Sequence, residues 1–412
     1  MEEVRTYGYR WVILAGFMFI TALNQGLWIT FAPITSDAMK FYATSDIAIG
    51  LLSMVFMVVY ILLFLPSAWL IDTWGFRKTV SLGAVLTAVF ALTRGLWADS
   101  FTLVFISQVG IAIGQPLILG AITKLGARWF LSDERATAAG LGTLAIYLGI
   151  LASLILTPLL MGSFGMKGML LIGGLMSCVA AVVFILVARE HPPTPTGPAG
   201  HDERTLMFDG LKSMIRQKDF ILLLVIFFIG LGMFNGITTW IEEIVGPRGF
   251  STAQAGLAGG LMLVGGVVGA VVIPLISDST RRRKPFIVLA LAGLIPGLVG
   301  LTFATTWWLL AVSAFAFGMF LLSAGPVGFQ YGAEITLPAP EGTSNSMLIV
   351  MGQFSGIVFI FAMDALKSPT GSMTDSLVTL MALTVAAVCL ALFLKESPIH
   401  GRERSAGARK PA

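Results

Sequence analysis

Residues 47–71 read IAIGLLSMVFMVVYILLFLPSAWLI, residues 72–78 read DTWGFRK, and residues 79–98 return to apolar sequence. The first run carries no charged side chain. A hydrocarbon layer of ~30 Å is crossed by about 20 helical residues rising ~1.5 Å each. The run is therefore a membrane span, the charged heptapeptide turns outside the apolar layer, and the next run crosses back.

The same pattern recurs in both directions along the chain. Twelve spans are expected, at 11–34, 47–71, 79–98, 102–125, 137–162, 168–188, 219–245, 254–277, 286–304, 307–333, 345–366 and 374–394. Composition agrees, with 56% hydrophobic and 12% charged residues and a mean hydropathy of +0.89, far from a soluble mix. A length prior alone would divide 412 residues into two or three soluble domains, and the pattern overrules it. The first span is too long for a signal-peptide core, follows Met1-Glu2-Glu3 and lacks a cleavage site, so it is expected to be retained.

The net charge of +4 follows topology and does not point to nucleic acid. With both termini cytoplasmic, only Lys40, Arg94, Lys167, Arg248 and Lys367 of the 26 Lys and Arg fall outside. The others sit at the termini or in loops such as Arg77-Lys78 and Arg281-Arg282-Arg283-Lys284. Such asymmetry satisfies the positive-inside rule and predicts a multi-pass protein of the plasma (cytoplasmic) membrane, the inner membrane of a bacterial cell. Cys178 and Cys389 lie in spans as lone thiols, and His191, His201 and His400 have no ligand spacing, so no metal or cofactor is expected.

The one long polar connection gives the domain plan: a six-span bundle at 1–188, a linker at 189–218, a second bundle at 219–396 and a tail at 397–412. The linker opens with proline-rich sequence from His191 to Pro198. Met207, Leu211, Met214 and Ile215 then recur at helical spacing opposite Asp209, Lys212, Ser213 and Arg216, which predicts a short amphipathic helix on the membrane surface. The halves echo one another. Asp72 with Arg77 recurs as Asp278 with Arg283 at an offset of 206, Glu134 as Glu341 at 207, and Asn24 as Asn235 at 211. Similar offsets at matching places mark an internal repeat. Small residues four apart, such as Gly110 and Gly114, Gly256 and Gly260, and Gly265 and Gly269, predict close helix packing.

The segment from Asp72 to Lys78 resembles the loop signature of the major facilitator superfamily, with Ala68 at its usual leading glycine. Trp129-Phe130 followed by Glu134-Arg135-Ala136 resembles the companion loop after the fourth span. The resemblance implies an all-α integral membrane fold of twelve transmembrane helices in two pseudo-symmetric six-helix bundles. A narrower resemblance, to the feline leukaemia virus subgroup C receptor-related family, is carried by Tyr9-Arg10-Trp11 and Met39-Lys40-Phe41-Tyr42. Gly325-Pro326-Val327-Gly328-Phe329, Ala333-Glu334-Ile335-Thr336 and Glu341-Gly342-Thr343-Ser344 carry it further. That family is associated with transport of choline, ethanolamine and haem. Trp28, Gln115 and Gln353 match positions with which it lines its central site. The chain departs from the family at Phe234-Asn235, Ile146-Tyr147 and Glu242-Glu243.

Polar side chains at membrane depth need a partner or a water-filled cavity and are functional candidates. The substrate-site candidates are Trp28, Gln115 and Gln353, joined by Asn24, Gln25, Tyr147, Asn235 and Trp240. An indole face can hold a quaternary ammonium, worth ~2 kcal/mol once desolvated; an interfacial tryptophan is the other reading of Trp28. For the glutamines, an interhelical hydrogen bond of ~0.6 kcal/mol is the plainer role. No span carries a central Lys or Arg, with Arg94 and Lys124 near span ends, and this disfavours anionic substrates. Glu242 and Glu243 are expected at an outer mouth, solvated or drawing cations inward. Asp72, Arg77, Arg128, Glu134, Arg135, Asp278, Arg283 and Glu341 are expected to gate the cytoplasmic side.

The expected protein is not an enzyme, since it has no His-Glu-x-x-His, serine–lysine dyad or paired intramembrane aspartates. It is a monomeric transporter in the lipid bilayer, moving a small cationic or neutral polar metabolite by alternating access, with a choline- or ethanolamine-like amine leading. A multidrug or lipophilic-solute exporter, haem-like cargo included, and a non-transporting membrane sensor stay open as alternatives.

Overall fold

The computed structural model describes residues 7–131, 134–193, 214, 216–280, 282–336 and 341–396. Its helices are α1 (Tyr9–Ile29), α2 (Thr35–Tyr42), α3 (Asp46–Trp74), α4 (Phe76–Leu96), α5 (Phe101–Leu119), α6 (Ile122–Trp129) and α7 (Arg135–Val187). After the linker come α8 (Lys218–Thr239), α9 (Ile241–Val245), α10 (Thr252–Thr280), α11 (Lys284–Phe303), α12 (Trp307–Ile335), α13 (Glu341–Ala365) and α14 (Thr374–Leu392). Among the described residues there is no strand.

Eleven helical segments are long and apolar enough to cross a membrane, against twelve expected spans. The difference is the fifth and sixth spans, two helices that meet end to end at a kink and share the label α7. Gly165, at φ 67°, breaks its helical path and divides it into arms at 135–164 and 166–187. The amphipathic helix expected near 207–216 lies almost wholly outside the described residues.

Local chemistry sets the helix ends. Ser45 and Ser100 accept from the backbone N–H groups of Ala48 and Leu103, capping α3 and α5. Pro33, in the 3-10 turn Ala32–Ile34, has no N–H to continue α1. Gly75 precedes α4 at φ 87°, and a Cβ there would overlap the Glu190 carboxylate, so glycine is required on both counts.

The described residues gather into two compact units, Met1–Gly200 and His201–Ala412. In the first, α1 and α4 pack on α7, and α3 and α4 pack on α5. In the second, α12 packs between α10 and α11, while α8 packs on α13. At Gly265 and Gly269 a Cβ would run into the backbone of α12, so this glycine pair lets α10 and α12 touch directly. Both units repeat a proline inside matching helices, Pro66 in α3 with Pro274 in α10 and Pro116 in α5 with Pro326 in α12.

Among its described residues the first unit shows two apolar cores. One gathers Ile13, Phe17, Phe76, Ile118, Trp129 and Phe184 at the end that carries the basic loops. The other gathers Phe31, Ile34, Ile49, Leu52, Val104 and Leu170 at the far end. Between them in sequence, along α1, α4 and α5, runs a buried polar set: Asn24, Gln25, Thr87, Arg94, Gln108 and Gln115. Large apolar side chains such as Leu62, Leu186 and Trp308 are exposed on the outside, as lipid-facing positions require.

Candidate functional site

Asn24 of α1 is fully buried and donates to Thr87 Oγ1 on α4 (3.1 Å) and to the Ile111 carbonyl of α5 (3.4 Å). Gln25 donates to Asn24 Oδ1 at 3.3 Å. These amides tie three helices together. One turn on, Trp28 is also buried, and its Nε1 donates to the Ser53 carbonyl of α3 at 3.0 Å, while Ser53 Oγ returns a bond to the Trp28 carbonyl at 3.5 Å.

Beside this turn the structure corrects one expectation. Arg94 lies near the end of α4, as expected, but as a buried cation: it is 1% exposed. Its Nη1 donates to Gln108 Oε1 at 2.6 Å and to the Leu27 carbonyl at 3.3 Å, and its guanidinium lies 5.6 Å from the Phe31 ring centre. Gln108 Nε2 donates to the carbonyls of Leu27 (3.3 Å) and Leu52 (3.1 Å). No carboxylate pairs with Arg94 among the described residues. The argument against anionic substrates from the absence of a buried cation therefore falls.

Gln115 lies two turns beyond Gln108 on α5. It is 5% exposed, and its Oε1 is buried with no hydrogen-bond partner. A buried amide oxygen left unpaired costs about 1–3 kcal/mol. Tyr147, on the first arm of α7, is half-buried.

In the second unit, Asn235 Nδ2 donates to the Gly352 carbonyl at 3.4 Å, immediately before the half-buried Gln353, so α8 and α13 bring these two candidates together. Trp240 follows α8, is fully buried, and donates Nε1 to the Ile360 carbonyl of α13 at 3.2 Å. The acidic pair beyond it is not solvated as expected. Glu242 is buried, and Glu243 pairs with Lys367 at 2.7 Å, both side chains largely withdrawn from solvent. A cavity of about 650 Å³ opens elsewhere in this unit, beside Lys218, Asp219, Lys395 and Glu396, away from the amides.

The charged candidates gather at the basic ends. In the first unit Asp72 pairs with Lys124 at 3.3 Å, Glu134 with Arg10 at 2.8 Å, and Arg128 meets His191. Arg135 donates to the carbonyls of Phe130 and Ala127. The backbone N–H groups of Phe76 and Arg77 donate to Glu190 at 3.2 and 2.8 Å. In the second unit Arg283 bonds Asp278 and reaches Glu334 at 3.1 Å, while its backbone N–H donates to Glu396 at 2.7 Å. Burial disfavours the Arg283 charge, but the bonds to Asp278 and Glu334 outweigh it and hold its pKa above the ordinary arginine value. Glu341 begins α13, and its side chain lies outside the described residues.

Sequence reasoning missed Arg10, Ser53, Gln108, Glu190 and Glu396 as partners. Gln108 had a visible signal, since it precedes Gln115 by seven residues and so shares its helix face.

Comparison with known proteins shows the family. The family pattern of the Major Facilitator Superfamily matches residues 14–363. Solute carrier family 49 member A3 of Danio rerio is 30% identical over 407 residues, covering 93% of this chain and 85% of that protein. Choline/ethanolamine transporter FLVCR2 of Homo sapiens is 25% identical over 416 residues, covering 96% of this chain and 79% of that protein. A bacterial homolog of the human lysosomal transporter Spinster, solved inward-facing and unoccupied, matches with a TM-score of 0.74 and 17% identity. The match covers 96% of this chain and 97% of that one, and shows the likeness of fold alone.

Proposed function

The chain belongs to the Major Facilitator Superfamily and is a multi-pass membrane transporter, and from that premise we propose that it moves a small cationic or neutral polar metabolite, a choline- or ethanolamine-like amine first among them. The observation that carries the reading is Gln115: a buried amide oxygen without a donor, on the helix that also holds Gln108. An amino alcohol brings the missing O–H or N–H, and an aromatic face such as that of Trp28 or Tyr147 attracts its ammonium group. The similarity to a choline/ethanolamine transporter supports the same class. Gln353 and Asn235 are the proposed contacts in the second unit, with Trp240 a further candidate there, and Asn24 and Gln25 are the further candidates in the first unit.

The charges at the basic ends, from Asp72 to Glu341, are the proposed gate: their pairs form and break as transport alternates access. The bias of basic residues supports an orientation in the plasma membrane with both termini in the cytoplasm. Arg94 favours a second reading, a solute that also carries an anionic group.

One assay addresses both readings. The full chain in proteoliposomes is expected to take up labelled choline or ethanolamine saturably, in preference to betaine, which keeps the trimethylammonium and adds a carboxylate. Gln115→Leu and Trp28→Ala are expected to lower kcat/KM by about tenfold or more, roughly the ~1.4 kcal/mol of a lost buried contact. A folded wild-type chain without saturable amine flux sinks the first reading, and preference for betaine supports the second.

A further inference from the structure

A buried arginine without a carboxylate is costly inside a membrane span. What Arg94 does there is visible in what it touches. The Leu27 carbonyl accepts from Arg94 Nη1 (3.3 Å), from Gln108 Nε2 (3.3 Å) and from Thr30 Oγ1 (3.2 Å). Gln108 also holds the Leu52 carbonyl, and the neighbouring pair Trp28 and Ser53 exchange their own two bonds. Two adjacent residues of α1 are thus fastened to two adjacent residues of α3, with α4 supplying the charge and α5 the amide.

We infer that Arg94 and Gln108 form a positioning clamp that fixes the end of α1 and so sets how Trp28 is presented to substrate. The need for it is local. Pro33 ends the helical bonding just beyond Ile29, which leaves this turn of α1 short of backbone support. Side-chain donors from neighbouring helices restore that support at the one place where the candidate tryptophan sits. Gln108 is the central part, because one amide accepts from the arginine and donates to both backbone carbonyls. The clamp belongs to the first unit alone among the described residues. Aligning Arg77 with Arg283 sets Gly300 opposite Arg94, and aligning Pro116 with Pro326 sets Gly318 opposite Gln108.

Hydrogen exchange of the full chain in lipid nanodiscs tests this directly. Arg94→Met and Gln108→Leu are each expected to speed exchange of the amides at 27–34 by about tenfold, leaving α8 and residues 10–20 unchanged. The double variant is expected to match Gln108→Leu, since that change alone frees both carbonyls from Gln108 and removes the oxygen that holds Arg94. Gln108→Glu keeps an acceptor for Arg94 but loses the donor to Leu27 and Leu52. It is therefore expected to behave as Gln108→Leu, even if Arg94→Met fails to fold. In liposomes the folded variants are expected to raise the choline KM about tenfold with kcat held within about twofold. That transport arm rests on the amine reading above, whereas the exchange arm does not, so absent choline flux in the wild type leaves the clamp still tested. Unchanged protection at 27–34, loss spread evenly over the unit, or a Gln108→Glu variant with wild-type exchange would each overturn the inference.

Discussion

The two units are built alike at their basic ends and differently at their far ends. In the first, Glu190 accepts from the opening backbone N–H groups of α4; in the second, Glu396 accepts from those of Arg283 and Lys284 at the start of α11. Each carboxylate follows the last helix of its unit and meets the positive end of another helix. At the far ends this symmetry is partial. Asn24 and Trp28 of α1, like Asn235 and Trp240 of the second unit, donate to carbonyls of neighbouring helices. Among the described residues, however, the Leu27 carbonyl of α1 alone also receives an arginine and a glutamine. Capping a helix is a generic need that both copies of a repeat keep. A polar residue set between helices does a particular job, and there the copies diverge.

The largest expected effect asks whether the basic ends are alike in energy as well as in caps. Arg283 and Glu334 are 7% and 5% exposed, whereas Glu134, facing Arg10, is 29% exposed. Removing one partner of a buried pair strands the other charge and costs about 3–5 kcal/mol, and the cost falls as solvent reaches the pair, as it does at the part-buried Arg10 and Glu134. Thermal unfolding should therefore drop far more for Arg283→Met than for Arg10→Met. Equal drops would mean that burial does not distinguish the two ends.

The far ends come next in size. Both Trp28 and Trp240 donate an indole N–H to a backbone carbonyl, and losing either bond should cost stability by about 1 kcal/mol. Only Trp28 adjoins the Arg94–Gln108 network. Trp28→Phe keeps a ring, so its transport should fall less than in Trp28→Ala, while Trp240→Phe should lower the melting temperature with kcat/KM within about threefold. If Trp240→Phe abolishes flux from a folded protein, the second unit carries the aromatic contact and the comparison inverts.

How much of this was legible in the sequence follows from what each feature depends on. Spans depend on length and hydropathy, which belong to one segment at a time, so nearly all were read correctly. The fifth and sixth are two helices, as expected, that meet end to end at the non-helical turn of Gly165. The Asp278–Arg283 pair was visible as spacing. Its counterpart was misleading: Asp72 meets Lys124 from α6, while Arg77 offers its backbone N–H to Glu190. Arg94 stands two residues from the end of α4, and sequence position made it a boundary charge. Its burial comes from α1 and α5 closing over it, a property of three helices that no single span displays. Glu190 was hidden differently, at the edge of a proline-rich stretch that reads as linker.

The smallest expected effect bears most directly on the repeat. Glu190→Ala and Glu396→Ala each remove a carboxylate from a helix N-terminus, which should cost about 0.5–2 kcal/mol of stability. The two caps accept from two backbone donors apiece, so the two losses should agree within about 0.5 kcal/mol despite the sequence differences around them. Gly75 adds a separate check on the first unit, because Gly75→Ala both strains φ and crowds the Glu190 carboxylate. Its damage should shrink when combined with Glu190→Ala, which relieves the crowding while the strain at φ remains. Simple additivity of the two losses would show that the Gly75 turn and the Glu190 cap act separately, and the basic ends would then be alike in outline but not in mechanism.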